Sequence, residues 1–179
     1  MNTFHTFYES PVGPLLLMSD GAALTGLHTE SDKYRPKIRP DWIEDDGAVP
    51  FARVKAQLHD YFEGRLTGFD LPLNPQGTEF QMRVWKQLCG ISFGETISYG
   101  ELARRIGNPN ASRAVGMANS RNPISIIVPC HRVIGADNSL TGYAGGLDRK
   151  RVLLAHEAST KETRYEGRGA SQGQTALDL

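Results

Sequence analysis

Short apolar runs separated by turn residues fill the first thirty positions of the chain. In residues 4–29, FHTFYESPVGPLLLMSDGAALTGLHT, β-type runs alternate with the turn signals Pro-Val-Gly-Pro and Ser-Asp-Gly, a pattern typical of a small antiparallel sheet. Residues 51–65, FARVKAQLHDYFEGR, instead space their apolar side chains along one helix face and reach a glycine near the end, which predicts a helix. The piece LPLNPQG, residues 71–77, is expected to be a linker.

Helical periodicity dominates the second part of the chain. Residues 78–88, TEFQMRVWKQL, begin with a threonine that can cap a helix and carry an apolar face. Residues 98–106 predict another helix, stopped by Gly-Asn-Pro, and a further helix begins near Ala111. Two helices joined by a short glycine-containing turn form the helix-turn-helix layout, which also occurs as a plain structural pair. The second helix is rich in alanine and glycine, and Arg113 and Arg121 remain as long side chains.

The run ISIIV, residues 124–128, is almost unbroken in apolar character and is followed by Pro129. A short apolar run bounded by proline is typical of a buried strand, because proline cannot donate a backbone hydrogen bond to a neighbouring strand. The pattern therefore predicts that Cys130 lies where a buried strand ends. Residues 135–157 start as a turn-rich loop containing TGYAGG and finish as a helix, and the polar residues 158–179 are expected to form a mobile tail.

A length of 179 residues with 39% hydrophobic content suits one ordinary domain or two small ones. No apolar run approaches the roughly 18 residues that span a membrane, and the start MNTFHTFYESP lacks the features of a secretion signal. We therefore expect a cytoplasmic protein that does not enter a membrane. Cys89 and Cys130, the two cysteines, make neither a disulfide framework nor a four-ligand zinc set, so no metal and no cofactor is expected.

A formal net charge of zero hides an uneven distribution of charge. Residues 1–77 hold 7 basic and 11 acidic side chains, residues 78–157 hold 10 and 6, and residues 158–179 hold 3 and 3. A basic segment within a neutral chain suits binding to a phosphate backbone, although a difference of this size does not establish it alone.

Two interpretations of Cys130 follow from the residues around it. Free cysteine often serves as a small buried hydrophobe. Beside His131 and Arg132, however, positive potential can lower the pKa of the thiol below about 8.5 and make it nucleophilic. Adjacent side chains on an extended chain point to opposite sides, so contact between His131 and the thiol would need a turn or a water. Glu157, at the expected end of a helix, would ordinarily be solvated.

Five ordered motifs resemble those of the O6-alkylguanine-DNA alkyltransferases. They are SYGELA, NPNASRAVGMANSRNPI, PCHRV, TGYAGG and KRVLLAHE, and the match is dense from residue 78 to residue 157. The resemblance implies direct, stoichiometric repair of O6-alkylguanine in DNA by transfer of the alkyl group to Cys130, which inactivates the protein; O4-alkylthymine stays open as a second substrate.

The resemblance also implies an α/β fold in two lobes. Residues 1–77 would form a ribonuclease H-like lobe of sheet plus helix. Residues 78–157 would form a mostly helical lobe that carries the helix-turn-helix, the DNA-binding surface and the alkyl-transfer site.

A role for each motif residue follows from the same resemblance. Cys130 attacks the alkyl carbon, and His131 relays the thiol proton through a water to Glu157. Tyr99 donates a hydrogen bond to N3 of the departing guanine, while Asn122 ties the recognition helix to the active-site strand. Backbone groups of Cys130, Val133 and Ala144 hold the edge of the guanine. Tyr143 lines the pocket, and Lys150 and Arg132 are supporting residues.

The modified base is inaccessible inside a duplex, so it has to be flipped into a pocket. The resemblance implies that Arg113 fills the vacated place in the base stack from the minor-groove side, because the small residues around it let the helix lie in that narrow groove. The partner is double-stranded DNA containing O6-alkylguanine, bound by a monomer, with cooperative binding on DNA left open. The residues expected to contact DNA are Arg113, Ala114, Ala118 and Arg121.

Departures from the family pattern and other functions also have to be weighed. Ala144 replaces a serine found in some members, Asn119, Ser120 and Arg121 replace commoner small residues, and the cysteines of the structural zinc site in some members are absent. The related alkyltransferase-like proteins lack the cysteine, so Cys130 argues against that role. A thiol hydrolase, which would turn over repeatedly, and a transcription factor, which would prefer one DNA sequence, remain as alternatives.

Overall fold

A four-stranded sheet forms the amino-terminal part of the protein, whose computed structural model describes residues 2–172 and the side chains up to residue 165. The strands lie in the order β3-β2-β1-β4. The first three are antiparallel, as the turn signals predict, while β4 runs parallel to β1 and is too short and exposed to give a periodic signal. The strands are β1 (Phe4–Tyr8), β2 (Leu15–Ser19), β3 (Leu24–Thr29) and β4 (Ile43–Glu44).

Helix α1 (Phe51–Phe62) supplies the apolar face that its spacing predicts. Its buried side chains join the leucines of β2 and β3 in one hydrophobic core. Gly64, just beyond the helix, has φ +71, a left-handed conformation that glycine adopts without steric cost. The predicted linker is anchored beside the sheet, because Leu24 donates its backbone N–H to the carbonyl of Pro72 over 2.9 Å.

The carboxy-terminal part is built mainly from helices. Thr78 caps α2 with a reciprocal capping box, and Ser98 caps α3, which satisfies N–H groups that a helix start leaves unpaired. The indole N–H of Trp85 donates to the carbonyl of Ala118 over 2.9 Å and joins α2 to α4. The elements are α2 (Glu79–Leu88), β5 (Ile97–Ser98), α3 (Tyr99–Arg105), α4 (Ser112–Ser120), β6 (Val133–Ile134) and α5 (Leu147–Gln172), with β5 and β6 forming a short parallel pair.

The strand predicted at residues 124–128 is wrong, because this segment folds as a compact turn. Only Ile124 makes an isolated bridge, to Leu27 of β3. Ile126 then takes φ +71, and Val128 donates its N–H back to the carbonyl of Ile124 over 3.0 Å. Asn122 stabilises this turn by accepting from the N–H of Ile124 and donating to the carbonyl of Val128. A side chain thus replaces the strand pairing that the apolar pattern predicted.

Residues 158–172 of the predicted mobile tail continue helix α5. Arg164 donates to the carbonyls of Gly64 and Arg65 over 2.8 and 2.6 Å, and Lys161 forms an ion pair with Glu95. Side chains three to four residues apart share a helix face, so this face of α5 docks on the preceding fold despite its polar composition. The remaining predicted tail, residues 173–179, lies outside the described residues.

Candidate active site

Glu157 is fully buried on α5 and accepts five hydrogen bonds. Its Oε1 accepts from His131 Nε2 at 2.7 Å, from the hydroxyl of Tyr61 at 2.8 Å and from Arg132 Nη2 at 2.9 Å. Its Oε2 accepts from Arg132 Nε at 2.9 Å and from the backbone N–H of Gly94 at 3.0 Å. The donors come from both parts of the chain, because Tyr61 belongs to α1. Glu157 is therefore not solvated, although a carboxylate at the expected end of a helix would ordinarily be.

This arrangement keeps Glu157 ionised. Burial alone would raise the pKa of the carboxyl, but the hydrogen bonds from His131 and Arg132, together with the charge of Arg132, hold it far below its usual range. Arg132 also donates to the carbonyl of Ile91 over 2.6 Å, so both ends of its guanidinium are fixed. The family resemblance implies only a supporting role for Arg132, whereas the structure makes it the main counter-charge of the buried carboxylate.

His131 is oriented by its bond to Glu157. Burial lowers the pKa of the imidazole below its ordinary value, although the hydrogen bond with Glu157 acts in the opposite direction. The neutral ring then donates through Nε2 to the carboxylate, which makes Nδ1 the acceptor. Among the described residues, this buried Nδ1 has no hydrogen-bond partner. The chain therefore presents a fixed proton acceptor next to the cysteine.

Cys130 begins a single 3-10 turn, Cys130–Arg132, directly after Pro129. It is 4% exposed. Burial raises the pKa of the thiol to about 11, despite a hydrogen bond from Asn122 and the charge of Lys150, both of which lower it. At neutral pH the sulfur is thus a protonated thiol, and a nucleophilic role would require a base, which differs from the lowered pKa that the flanking cations suggested.

Two asparagines fix the position of Cys130. Asn122 holds the turn at residues 124–128, and Cys130 donates its backbone N–H to the carbonyl of Val128 over 2.8 Å. Asn119 of α4 donates to the carbonyl of Cys130 over 3.3 Å. The family resemblance implies the connecting role for Asn122 alone. Asn119 was not predicted, because a buried amide on the inner side of a helix gives no periodic signal.

The loop between β6 and α5 closes over the other predicted pocket residues. Tyr99 donates its hydroxyl to the carbonyl of Thr141 over 2.9 Å. Lys150 is buried and donates to the same carbonyl over 2.6 Å and to that of Val133; burial lowers the pKa of its ammonium to about 8. Gly142 has φ +69, and a Cβ there would lie 2.4 Å from the Tyr99 hydroxyl, so only glycine lets the loop approach this closely.

Tyr143 and Ala144 lie on this same loop. Tyr143 is buried, and burial, with a further contribution from Cys130, raises the pKa of its hydroxyl well above the ordinary value. The carbonyl of Ala144 accepts from the backbone N–H of Lys33 over 3.2 Å. The structure therefore brings Tyr143 close to the cysteine and attaches Ala144 to the amino-terminal part of the chain.

Helix α4 exposes a stripe beside this site. Arg113, Ala114, Met117 and Arg121 are exposed, and their spacing places them on one helix face. Ala118, predicted to contact DNA, is 3% exposed and packs inward, so it does not belong to the exposed stripe. Met117 takes that place; its spacing of four residues from both arginines was the signal that the sequence analysis overlooked.

Neither a metal cluster nor a membrane-crossing helix is found in the part of the chain that the structure describes. The described residues contain no group of three or more histidine, cysteine or carboxylate side chains that could hold a metal ion. Within residues 2–172, no helix is both long and apolar enough to cross a membrane.

Comparisons with known proteins give a consistent result over both parts of the chain. The family model for the ribonuclease-like domain of 6-O-methylguanine DNA methyltransferase matches residues 3–75, and that for the DNA-binding domain matches residues 79–159. A methylated-DNA–protein-cysteine methyltransferase of Mycobacterium tuberculosis is 55% identical over 151 residues, which are 84% of this chain and 90% of that protein. A methyltransferase of the same name from Methanosarcina acetivorans is 51% identical over 156 residues, which are 87% of this chain and 99% of that protein.

A solved structure extends the similarity to the fold. The crystal structure of Mycobacterium tuberculosis OGT in complex with DNA matches with a TM-score of 0.81 and 51% identity, covering 89% of this chain and 94% of that chain.

The buried Glu157 cluster leads to a prediction about stability. Replacing Glu157 by Gln should lower the free energy of unfolding by about 3–5 kcal/mol, because Arg132 would be left buried without its counter-charge. The matched control is Glu162→Gln at an exposed position of the same helix, and urea titration at neutral pH measures both. Equal stability of the two variants would contradict the cluster.

The same comparison has a pH dependence. Because the pKa of Glu157 is depressed in the folded protein, its contribution is present above the unfolded pKa of about 4.3 and is lost as pH falls below it. The stability difference between wild type and Glu157→Gln should therefore narrow from about pH 5 downward.

Proposed function

The chain belongs to the 6-O-methylguanine DNA methyltransferase family and repairs DNA by alkyl transfer to a cysteine, and we propose that this cysteine is Cys130. The observation that carries the assignment is the position of Cys130 immediately before His131, whose ring is fixed by the ionised Glu157. Cys89, the other cysteine, lies at the end of α2. Burial raises the pKa of the Cys89 thiol, although the charge of Arg132 lowers it.

The reaction is a displacement at the alkyl carbon. The sulfur of Cys130 forms a bond to this carbon while the bond from the carbon to O6 of guanine breaks. The thiol proton moves to Nδ1 of His131, through a water as the sequence resemblance implies. It stays on the imidazole, because the bonds from Arg132 and Tyr61 keep Glu157 an anion that stabilises the imidazolium.

Tyr99 assists the departure of the guanine. Its hydroxyl would leave the carbonyl of Thr141 and donate to N3 of the purine, which carries developing negative charge. Val133 and Cys130 offer backbone carbonyls and Ala144 offers an N–H to the guanine edge, while Tyr143 lines the pocket. Lys150 supports this arrangement by holding the carbonyl of Val133 in place.

DNA is bound by the exposed stripe of α4. We assign Arg113 to the vacated place in the base stack, Ala114 and Met117 to close contact with the minor groove, and Arg121 to the backbone. The protein binds as a monomer and acts in the cytoplasm in this proposal. Cooperative binding and repair of O4-alkylthymine stay open.

Stoichiometry tests the assignment of the nucleophile. A thioether on Cys130 has no good leaving group, so each chain should accept one alkyl group and stop. Titration with excess O6-methylguanine DNA should give a burst that ends near one methyl per chain, with the added mass on the peptide that contains Cys130. Cys89→Ala serves as the control and should behave as the wild type.

Two outcomes would count against this assignment. Repeated turnover would favour the hydrolase. Methyl label on Cys89 would show that the nucleophile is wrong.

The pH dependence of transfer tests the role of His131. The pKa of the Cys130 thiol is about 11, and the pKa of the His131 imidazole is lowered. At any pH between these two pKa values, the fraction of protein that holds the thiolate–imidazolium pair is constant. The rate with a free O6-alkylguanine base should therefore be flat from about pH 7 to 8, and it should fall only in more acidic solution, where His131 takes a proton at a pH below the ordinary imidazole pKa of about 6.5. A tenfold rise per pH unit across the neutral range would instead indicate a thiolate formed without His131.

A further inference from the structure

A basic loop of the amino-terminal lobe, residues 33–39 (KYRPKIR), lies beside the helix assigned to DNA. Residues 1–77 contain 7 basic side chains in all, and four of them fall within these seven positions, with no acidic residue among them. They are Lys33, Arg35, Lys37 and Arg39. The lobe as a whole has an excess of acidic residues, so this concentration of positive charge is a local feature.

The basic loop is held in place by a buried carboxylate. Asp32, which is 7% exposed, accepts from the backbone N–H of Tyr34 over 2.8 Å and pairs with Nδ1 of His28 over 2.9 Å. The backbone N–H of Arg35 donates to the carbonyl of Asp32 over 3.0 Å. The direction in which the loop leaves the sheet is therefore set before any partner binds.

Contacts on two sides place the basic loop between the recognition helix and the pocket. On one side, the guanidinium of Arg121 lies 5.4 Å from the centre of the Tyr34 ring, and the Tyr34 hydroxyl is 4.0 Å from the sulfur of Met117. On the other side, Lys33 donates its backbone N–H to the carbonyl of Ala144 in the pocket loop. Tyr34 thus continues the exposed stripe of α4 towards the pocket wall.

The charges of the basic loop are only partly used within the protein. Arg39 pairs with Asp41 over 2.9 Å, and Arg35 stacks over Phe7. Lys33 and Lys37 are exposed, and within residues 2–165 neither forms an ion pair with a carboxylate. Two cations are therefore presented to solvent next to the exposed stripe of α4.

We propose that the basic loop binds the phosphate backbone of the DNA duplex whose modified base enters the pocket. A duplex carries one negative charge per about 1.7 Å of axis, so a strand lying along Arg113, Met117 and Arg121 continues past Tyr34 onto Lys33 and Lys37. The amino-terminal lobe thereby adds phosphate contacts that position the duplex without reading its sequence. This inference rests on the proposed function, because it requires that α4 is the DNA-binding helix.

The salt dependence of DNA binding tests the proposal. The double variant Lys33→Gln/Lys37→Gln should lower the slope of log affinity against log salt by about 2, since each phosphate contact contributes about 0.9. The ratio of the DNA affinity of the wild type to that of the variant should then shrink roughly tenfold between about 50 and 200 mM salt. Alkyl transfer from a free O6-alkylguanine base should be unchanged, because the loop touches no reacting atom.

A charge-matched control separates local contact from net charge. Arg53→Gln/Arg65→Gln removes two exposed cations from α1 and the residues that follow it, each paired there with an aspartate, and should keep the wild-type slope. If both double variants lose the same affinity and slope, the proposal is overturned. If the wild-type protein itself accepts no alkyl group, the proposed function fails instead, so the two failures are distinguishable.

Discussion

The buried, ionised carboxylate of Glu157 is the constraint on which the rest of the site depends. Burying an unpaired carboxylate costs several kcal/mol. Helix α5 can therefore pack here only if the hydrogen-bond donors to Glu157 are in place. Those donors come from α1, from the segment before β5 and from the turn that contains His131 and Arg132. The amino-terminal lobe is therefore part of the candidate active site, since Tyr61 of α1 donates to the same oxygen as His131. Neither lobe completes the site alone.

This constraint explains how a protonated thiol can act as a nucleophile. Burial raises the pKa of Cys130 to about 11, so the sulfur is protected from solvent oxidants, which react with exposed thiolates. In the proposed mechanism, His131 supplies the base locally when a substrate is present. The chemistry is thereby limited to groups that enter the pocket, which suits a protein that can react only once.

Regular elements were predictable where the chain follows a simple period, as in β1 to β3, α1 and α2. The turn at residues 124–128 was not, because the side chain of Asn122 replaces strand pairing and no apolar pattern shows this. The family resemblance assigned roles to Cys130, His131 and Glu157, and the structure brings His131 and Glu157 into direct contact. It could not find Tyr61, which meets Glu157 only through folding across 96 positions. The helical continuation of α5 into the polar residues 158–172 was not predictable, because composition does not show which face of a helix packs on the fold.

The protonation state of His131 in the unreacted protein is the most direct test of its proposed role as the base for Cys130. Nitrogen-15 NMR of histidine-labelled protein at neutral pH, with His131→Gln used to assign the signal, distinguishes the two neutral tautomers and the imidazolium. The account predicts a neutral ring that carries its proton on Nε2, facing Glu157, and an unprotonated Nδ1. An imidazolium at neutral pH, or a proton on Nδ1, would contradict it, because His131 could then not accept the proton of Cys130.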